Sequence, residues 1–464
     1  MVTTANEAFI MEELGGDTIT PISIYQKVKG KKKFLLESSL KHEKSGRYSF
    51  IGANPSFELK GFGSKSYVVK GETEQAYEEK PLDLLKKLLP KKVTSINTMF
   101  PLIGGAVGYV GYDVIRQYEN IGKDIKDELE VPDVHLMFFE DLVVFDHLDQ
   151  KVFIVSIALD DETTTEDLKK RIESRKAEIL MTTEDEEIGE VVISDFQPMK
   201  NKERYEEMVR KAKEYIVEGD IFQVVPSHRL SADFEGKPFD YYRKLRVKNQ
   251  SPYMYFLDYE DYAIVGSSPE SLIKATDGRI VSNPIAGSRP RGKTVEEDLA
   301  LEKDLLSDEK ELAEHKMLVD LARNDIGKVS EFGSVQVDKY IKVEKYRHIM
   351  HLVSEVSGKL KEDYSAIDAL ISCLPAGTVS GAPKIRAMEI INELEDSKRG
   401  VYSGAVGYFS ANGNMDVALA IRTMVIKDQK AYIQAGAGIV YDSVPEKEYE
   451  ETIHKLRVFL EGQK

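Results

Sequence analysis

The sequence predicts an α+β protein in which sheets and helices pack in layers. Short β-type runs alternate with turns up to about residue 155, long helical patterns occupy 202–218 and 296–322, and three apolar runs crowd 404–440. At 464 residues the chain is long enough for roughly two to four domains.

Phe34–Ser38, Tyr48–Gly52 and Leu142–Phe145 carry the β-branched, aromatic and aliphatic runs of strands. Residues 160–190 turn acidic and polar, with one amphipathic helix (Leu168, Ile172 and Ile179 on one side) before Thr183-Glu-Asp-Glu-Glu187. That composition places a domain boundary there, giving an N-terminal unit over 1–190 and a C-terminal unit over 195–464. In 202–218, Tyr205, Met208, Val209, Ala212, Tyr215 and Ile216 form a helical stripe that Gly219-Asp220 stops, and Ile221–Val225 reads as a strand. The apolar runs Gly404–Phe409, Val417–Ile426 and Ala431–Val440 predict consecutive strands, the first turn made by Asn412-Gly413. Pro445 suits the first turn of a closing helix.

Composition narrows the function classes. Against 64 basic residues stand 80 acidic ones, net −16, which argues against non-specific binding to nucleic acid or anionic membranes. The single cysteine, Cys373, excludes an intramolecular disulfide framework and a Cys-rich metal site. No apolar run reaches the length of a membrane span, and the N-terminus lacks the basic and apolar regions of a signal peptide. A soluble cytoplasmic protein is expected.

Two Glu-x-x-Glu pairs, Glu311/Glu314 and Glu448/Glu451, fall in helical stretches, where three-residue spacing puts both carboxylates on one face. Brought together, such faces make an oxygen-only cage of the kind Mg²⁺ prefers; alone, each is a solvated helix face. The run Gly377-Thr-Val-Ser-Gly-Ala-Pro-Lys384 is not a phosphate loop, because three residues separate its glycines and Ala-Pro precedes the lysine. Pro383 at a helix start would leave amides and the Thr378 and Ser380 hydroxyls facing an anion, or the run is simply a capping turn. Gly436-Ala437-Gly438 interrupts an apolar strand, for packing or for a ligand. Arg422 sits in an otherwise buried-looking strand, so it either pairs with a carboxylate or awaits an anionic ligand; its bidentate geometry favours the ligand. His351, in His348-Ile-Met-His-Leu-Val-Ser354, fits a hydrogen-bonded structural histidine.

Taken together, Pro284-Ile-Ala-Gly-Ser-Arg-Pro-Arg-Gly292, Glu314-His…Arg-Asn-Asp325, His351–Ser354, Gly377–Lys384, Gly404-Ala-Val-Gly-Tyr408 and Gln434-Ala-Gly-Ala-Gly-Ile439 occur in the order of one family. The chain resembles the chorismate-utilising enzymes over essentially its whole length. The resemblance implies a layered α/β/β/α sandwich with largely antiparallel sheets. Within the family, water-adding members carry a lysine where Gln223 stands, and aminodeoxychorismate-forming members typically carry one where Ala286 stands. With neither lysine, the resemblance points to the branch that makes anthranilate from chorismate and ammonia. The alternatives are the aminodeoxychorismate branch of folate synthesis and a non-catalytic tryptophan-sensing subunit.

The same resemblance implies roles for individual residues. Glu314 and Glu451, supported by Glu311 and Glu448, would hold Mg²⁺ on the ring carboxylate. Gly287, Ser288, Thr378, Tyr402, Arg422, Lys455 and the Gly436–Gly438 amides, Ala437 among them, would hold the substrate carboxylates. Glu270 would be the general acid and His351 the residue of the pyruvate elimination. Leu36, Glu37, Ser38, Arg47, Asn249, Pro252, Tyr253, Met254 and Gly266 would form a tryptophan feedback site. Ser288 and Gln250 depart from the usual threonine and proline of those motifs. Ammonia would come from a separate glutamine amidotransferase subunit, in a heterodimer or heterotetramer.

Overall fold

Two large sheets, antiparallel throughout, carry the chain in the computed structural model, which describes residues 8–38, 46–90, 100–181, 187–346 and 349–460. In the first, strands Phe9–Gly15, Lys151–Ile157, Asp141–Asp146, Tyr48–Gly52 and Phe34–Glu37 are followed by Tyr253–Asp258, Tyr262–Ser268, Thr423–Lys427, Lys430–Gly436 and Ser227–Glu235. The second runs from Ile285–Pro290 through Ile349–Lys359, Arg279–Ser282, Ser271–Thr276, Met415–Leu419 and Ala405–Ser410. It continues with Gly105–Val110, Val134–Phe139, Phe57–Phe62, Lys65–Lys70 and Thr73–Tyr77. Strands from before and after the boundary expected near 190 therefore share both sheets, joined at Met254↔Glu37 in one and Gly407↔Gly108 in the other.

Period-two alternation explains the layering. In the second sheet Val107, Tyr109, Met137 and Phe139 face the first sheet and pack with its Phe34, Phe50 and Val144. Their neighbours Ala106, Val110, Leu136 and Phe138 face outward and meet the helices Pro81–Leu88, Glu309–Val329 and Ala366–Cys373. The first sheet's outer face, with Leu35, Ile51, Val143 and Phe256, is covered by Pro21–Lys27, Thr165–Leu180 and Pro238–Lys248. The result is helix, sheet, sheet, helix. Burial on both faces is why so many strands read as continuous apolar runs.

The helices at Lys202–Glu218 and Pro445–Lys455 begin where their sequence signals place them, and Gly219, at φ 87°, closes the first. Leu168, Ile172 and Ile179 are the buried stripe of Thr165–Leu180. Residues 182–186, with the acidic Glu184, Asp185 and Glu186, His348 and residues 1–7 lie outside the described residues. Three expectations are corrected. The helix expected over 296–322 is two, Val295–Ser307 and Glu309–Val329, because Asp308 leaves helical geometry and accepts from the Lys310 and Glu311 amides as a cap. The strand expected over 417–426 breaks into Met415–Leu419 and Thr423–Lys427, since Arg422 adopts φ 47° and Ala420 N–H turns to the Gly404 carbonyl. Ile221–Val225 shortens to Gln223–Val224, paired with Gly381–Ala382. No helix among the described residues is long and apolar enough to cross a membrane.

One ion pair ties the sheets to the loops between them. Arg399, 1 % exposed, sits on Glu395: Nη2 reaches Oε1 at 2.6 Å and Nε reaches Oε2 at 2.9 Å. Its remaining N–H groups donate to the Val379 carbonyl at 2.7 Å and the Val225 carbonyl at 2.6 Å, while Glu395 Oε1 accepts from Ser227 N and Oγ. The Tyr112 and Tyr402 rings lie 4.8 and 5.6 Å from the guanidinium. Arg399→Met strands a buried carboxylate, so urea unfolding should show a loss of about 3–5 kcal/mol; an unchanged midpoint would deny the pair its central place.

Candidate active site

The site grows from the end of strand Tyr262–Ser268, where the chain turns through Pro269 to Glu270. The Glu270 amide is held by Ser268 Oγ at 3.3 Å, and its carbonyl accepts the Leu419 amide, fixing the residue against the second sheet. Thr378 Oγ1 donates to Glu270 Oε1 at 2.9 Å. Burial pushes the Glu270 carboxyl up to about 7, against the opposing pull of Thr378, Lys455 and Arg422. A carboxyl poised there can deliver a proton near neutral pH. Arg422 is itself pulled below the usual guanidinium range by burial, with Glu270 as the carboxylate facing it. Its left-handed φ turns it out of the strand direction expected for it.

His351 approaches from strand Ile349–Lys359. Its Nδ1 lies 3.2 Å from the Gly287 carbonyl, which can only accept, so Nδ1 carries the proton and Nε2 keeps a lone pair. Burial and the nearby Arg422 charge hold the imidazole below its ordinary range, so it is neutral at pH 7. Gly287, at φ 71°, makes the bulge that separates Ala286 from Ser288, and a Cβ there would lie 3.1 Å from Glu311 Oε2. Ala286 is partly buried beside this bulge, and Ser288 faces outward. The bulge thus sets His351, Ala286 and the first carboxylate pair side by side.

Glu311 and Glu314 lie in the first turns of Glu309–Val329, and Glu448 and Glu451 in Pro445–Lys455. Gln223 Nε2 donates to Glu314 Oε1 at 2.9 Å, and Lys455 Nζ contacts Glu451 Oε1 and the Gly436 carbonyl, each at 2.9 Å. Burial raises Glu311 and Glu448, and repulsion from Glu314 and Glu451 respectively adds to it. The Lys310 charge eases both. All four groups offer hard oxygen donors and suffer like-charge repulsion, which is the chemistry a hard dication relieves. As they stand, no three His, Cys, Asp or Glu side chains among the described residues converge on one ion.

The glycine run answers a packing need of this chain: a Cβ at Gly438 would lie 2.6 Å from Gln223 Nε2, and one at Gly436 2.7 Å from the Pro226 carbonyl. Ala437 between them is fully buried, and Tyr402 stands buried beside Arg399. Ser380 is a correction. Its hydroxyl donates inward to the Ala376 carbonyl at 2.7 Å and faces no anion, because the turn over Gly377–Val379 buries it.

The residues expected around an effector lie elsewhere, and all but Arg47 are at or beside the junction of strands Phe34–Glu37 and Tyr253–Asp258. Leu36 pairs with Tyr255, Glu37 with Met254, and Gly266 with Tyr255 from the other side. Ser38 and Pro252 are partly buried at its edge. Glu37 already accepts from Tyr242 Oη at 2.7 Å and from Arg246 Nε, so a ligand ammonium would share its carboxylate. Asn249 Nδ2 donates to Ser267 Oγ, and Tyr253 Oη to Asp416 Oδ1 at 2.9 Å. Arg47 is committed to Asp146 at 2.7 Å and Asp149 at 2.9 Å.

Three supporting contacts escaped the sequence reading: Arg399–Glu395, Lys384–Asp325 at 2.5 Å, and His315 Nε2 to Ser354 Oγ at 2.7 Å. Motif order held a hint of the last two, since each joins residues of two quoted motifs.

Residues 31–461 match the family described as chorismate binding enzyme. Anthranilate synthase component 1 of Lactococcus lactis is 46 % identical over 452 residues, covering 97 % of this chain and 98 % of its own. The crystal structure of anthranilate synthase component I from Streptococcus pneumoniae is similar with a TM-score of 0.82 and 46 % identity, over 96 % of this chain and 98 % of that one. Menaquinone-specific isochorismate synthase from Escherichia coli shares the fold, with a TM-score of 0.74 at 17 % identity over 98 % of this chain and 95 % of that one.

Thr378 stabilises the ionised form of Glu270, so Thr378→Val should move the carboxyl titration further up, by roughly one pH unit. Difference infrared spectra against Glu270→Gln read that titration directly; a downward move would reverse the assignment.

Proposed function

The chain belongs to the chorismate binding enzymes, and on that premise we propose that it converts chorismate and ammonia to anthranilate, pyruvate and water. The observation that carries this reading is Glu270, a carboxyl raised to about 7 beside two cations and a hydroxyl. Ammonia attacks C2 of the ring while Glu270 protonates the departing 4-hydroxyl, which leaves as water. The aminated intermediate then loses its C2 proton and the enolpyruvyl group as pyruvate, giving the aromatic product. His351, neutral with a free Nε2 lone pair, is suited to that proton removal. Arg422, Lys455, Thr378, Tyr402, Gly287, Ser288 and the Gly436–Gly438 backbone hold the substrate carboxylates. Gln223 and Ala286 are neutral, so neither activates water nor offers a covalent amine, and ammonia needs neither.

Glu314 and Glu451, with Glu311 and Glu448 in support, would hold Mg²⁺. When bound, it would supply a double positive charge to the ring carboxylate. A single pair of opposite unit charges about 4 Å apart is worth about 1 kcal/mol in water and roughly 4 at an effective dielectric of about 20, and a dication doubles both. Water exclusion by the surrounding residues therefore matters as much as the charge. A separate glutamine amidotransferase subunit supplies ammonia; burial pushes the Cys373 thiol up to about 12, far from a glutaminase nucleophile's range. Tryptophan binds at the Glu37–Met254 junction and lowers turnover. The enzyme acts in the cytoplasm.

Purified chain with chorismate, ammonium and Mg²⁺ should produce anthranilate fluorescence and an equal yield of pyruvate, both reduced by tryptophan. Amination without pyruvate release would assign the aminodeoxychorismate branch instead. Glu270→Gln should lower kcat at least about 100-fold. Because the acid must be protonated, the wild-type rate per free NH₃ should fall as pH rises through the Glu270 titration, a limb the variant lacks. Glu314→Gln and Glu451→Gln should each abolish turnover; full activity in both would remove the Mg²⁺ site.

A further inference from the structure

Lys384 closes the motif that looked most like a phosphate loop, yet no ligand is needed to explain where it points. Its backbone starts helix Lys384–Leu394, while its Nζ reaches back to the Cys373 carbonyl at 3.2 Å, the last residue of helix Ala366–Cys373. One side chain thus bridges both ends of the loop 374–383. The ammonium is also held at 2.5 Å by Asp325 Oδ2, with both side chains less than a tenth exposed. Asp325 belongs to helix Glu309–Val329, which carries Glu311 and Glu314 at its other end. Between the clasped ends lies Thr378, the residue bonded to Glu270. Gly377 is pressed on the same helix, where a Cβ would meet Leu321 Cδ2 at 2.2 Å.

We propose that Lys384 and Asp325 are a positioning pair: they clasp the 374–383 loop to the helix of the carboxylates, and so hold Thr378 on Glu270. Neither residue touches substrate. The pair fixes the geometry between the proton donor and the Glu311/Glu314 face, two parts of the site carried by elements far apart in sequence. Its bearing on catalysis rests on the proposed ammonia-dependent reaction, but its effect on Glu270 does not. The groups facing Glu270 are Thr378, Lys455 and Arg422; of these only Thr378 rides on the clasped loop.

The test follows the Glu270 carboxyl in the full-length chain without substrate, by difference infrared titration against Glu270→Gln. Lys384→Met should move the titration upward by about as much as Thr378→Val, roughly one pH unit. Thr378→Val/Lys384→Met should move it no further than either change alone. Asp325→Asn keeps shape and an acceptor, so it should fold and move the titration in the same direction by less. Lys384→Arg should restore the wild-type position, since its fork can reach both acceptors. In the ammonia assay, Lys384→Met should lower kcat about tenfold while Lys384→Arg stays within about threefold of wild type. Folded Lys384→Met or Asp325→Asn with an unmoved titration would overturn the proposal. If Lys384→Met does not fold, Asp325→Asn and Lys384→Arg decide it. Absence of anthranilate from the wild type would count against the reaction, leaving the titration to judge the clasp.

Discussion

The buried pair between Arg399 and Glu395 is the constraint on which the arrangement of the site depends. A charge taken this far from water must be matched and its remaining donors filled, or the fold loses several kcal/mol. Here the matching groups are backbone carbonyls of Val225 and Val379, one just after Gln223 and the other just after Thr378. Satisfying one guanidinium therefore brings together the strand that holds Glu314 and the turn that holds Glu270. Ser227 on Glu395 extends the same tie to the edge of the first sheet.

Around that anchor the site sorts its charges by burial. Glu270 is enclosed and kept near neutrality of charge, with its ionised form supported only by Thr378 and two nearby cations. Within each carboxylate pair burial and like charge act together, raising Glu311 beside Glu314 and Glu448 beside Glu451. A carboxyl that stays protonated near neutral pH and carboxylates that stay ionised are chemically opposed demands on the same residue type. Different degrees of enclosure meet both with glutamate.

The sheets explain how residues so scattered come together. Strands from the two halves meet at one junction in each sheet, and the hairpin Tyr253–Ser268 runs from the junction with Glu37 to the approach of Glu270. Asn249 and Ser251 bond Ser267, whose amide donates to the Arg422 carbonyl at 3.0 Å. Backbone and side-chain bonds thus run without a gap from the expected effector residues to the cation that faces the acid. A chain divided into separately folded halves would have no such path.

The sequence by itself determined what depends on local spacing. Periodicity marked Lys202–Glu218 and Thr165–Leu180, turn chemistry marked Gly219 and Gly413, and motif order marked the family. It failed where a long-range contact overrode a local pattern. Helix periodicity ran through Asp308 because an aspartate cap and an aspartate on a helix face look alike in sequence. Apolar continuity ran through Arg422 because a left-handed residue leaves no mark in composition. Only tertiary structure decided that Lys384 serves Asp325, that Ser380 turns inward, and that Glu37 is already held by Arg246. It also decided that one glutamate of many is raised to about 7. The physical reason is common to all of these: a side chain's partner and its solvation belong to the packed molecule, whereas its backbone preference belongs to its neighbours in the chain.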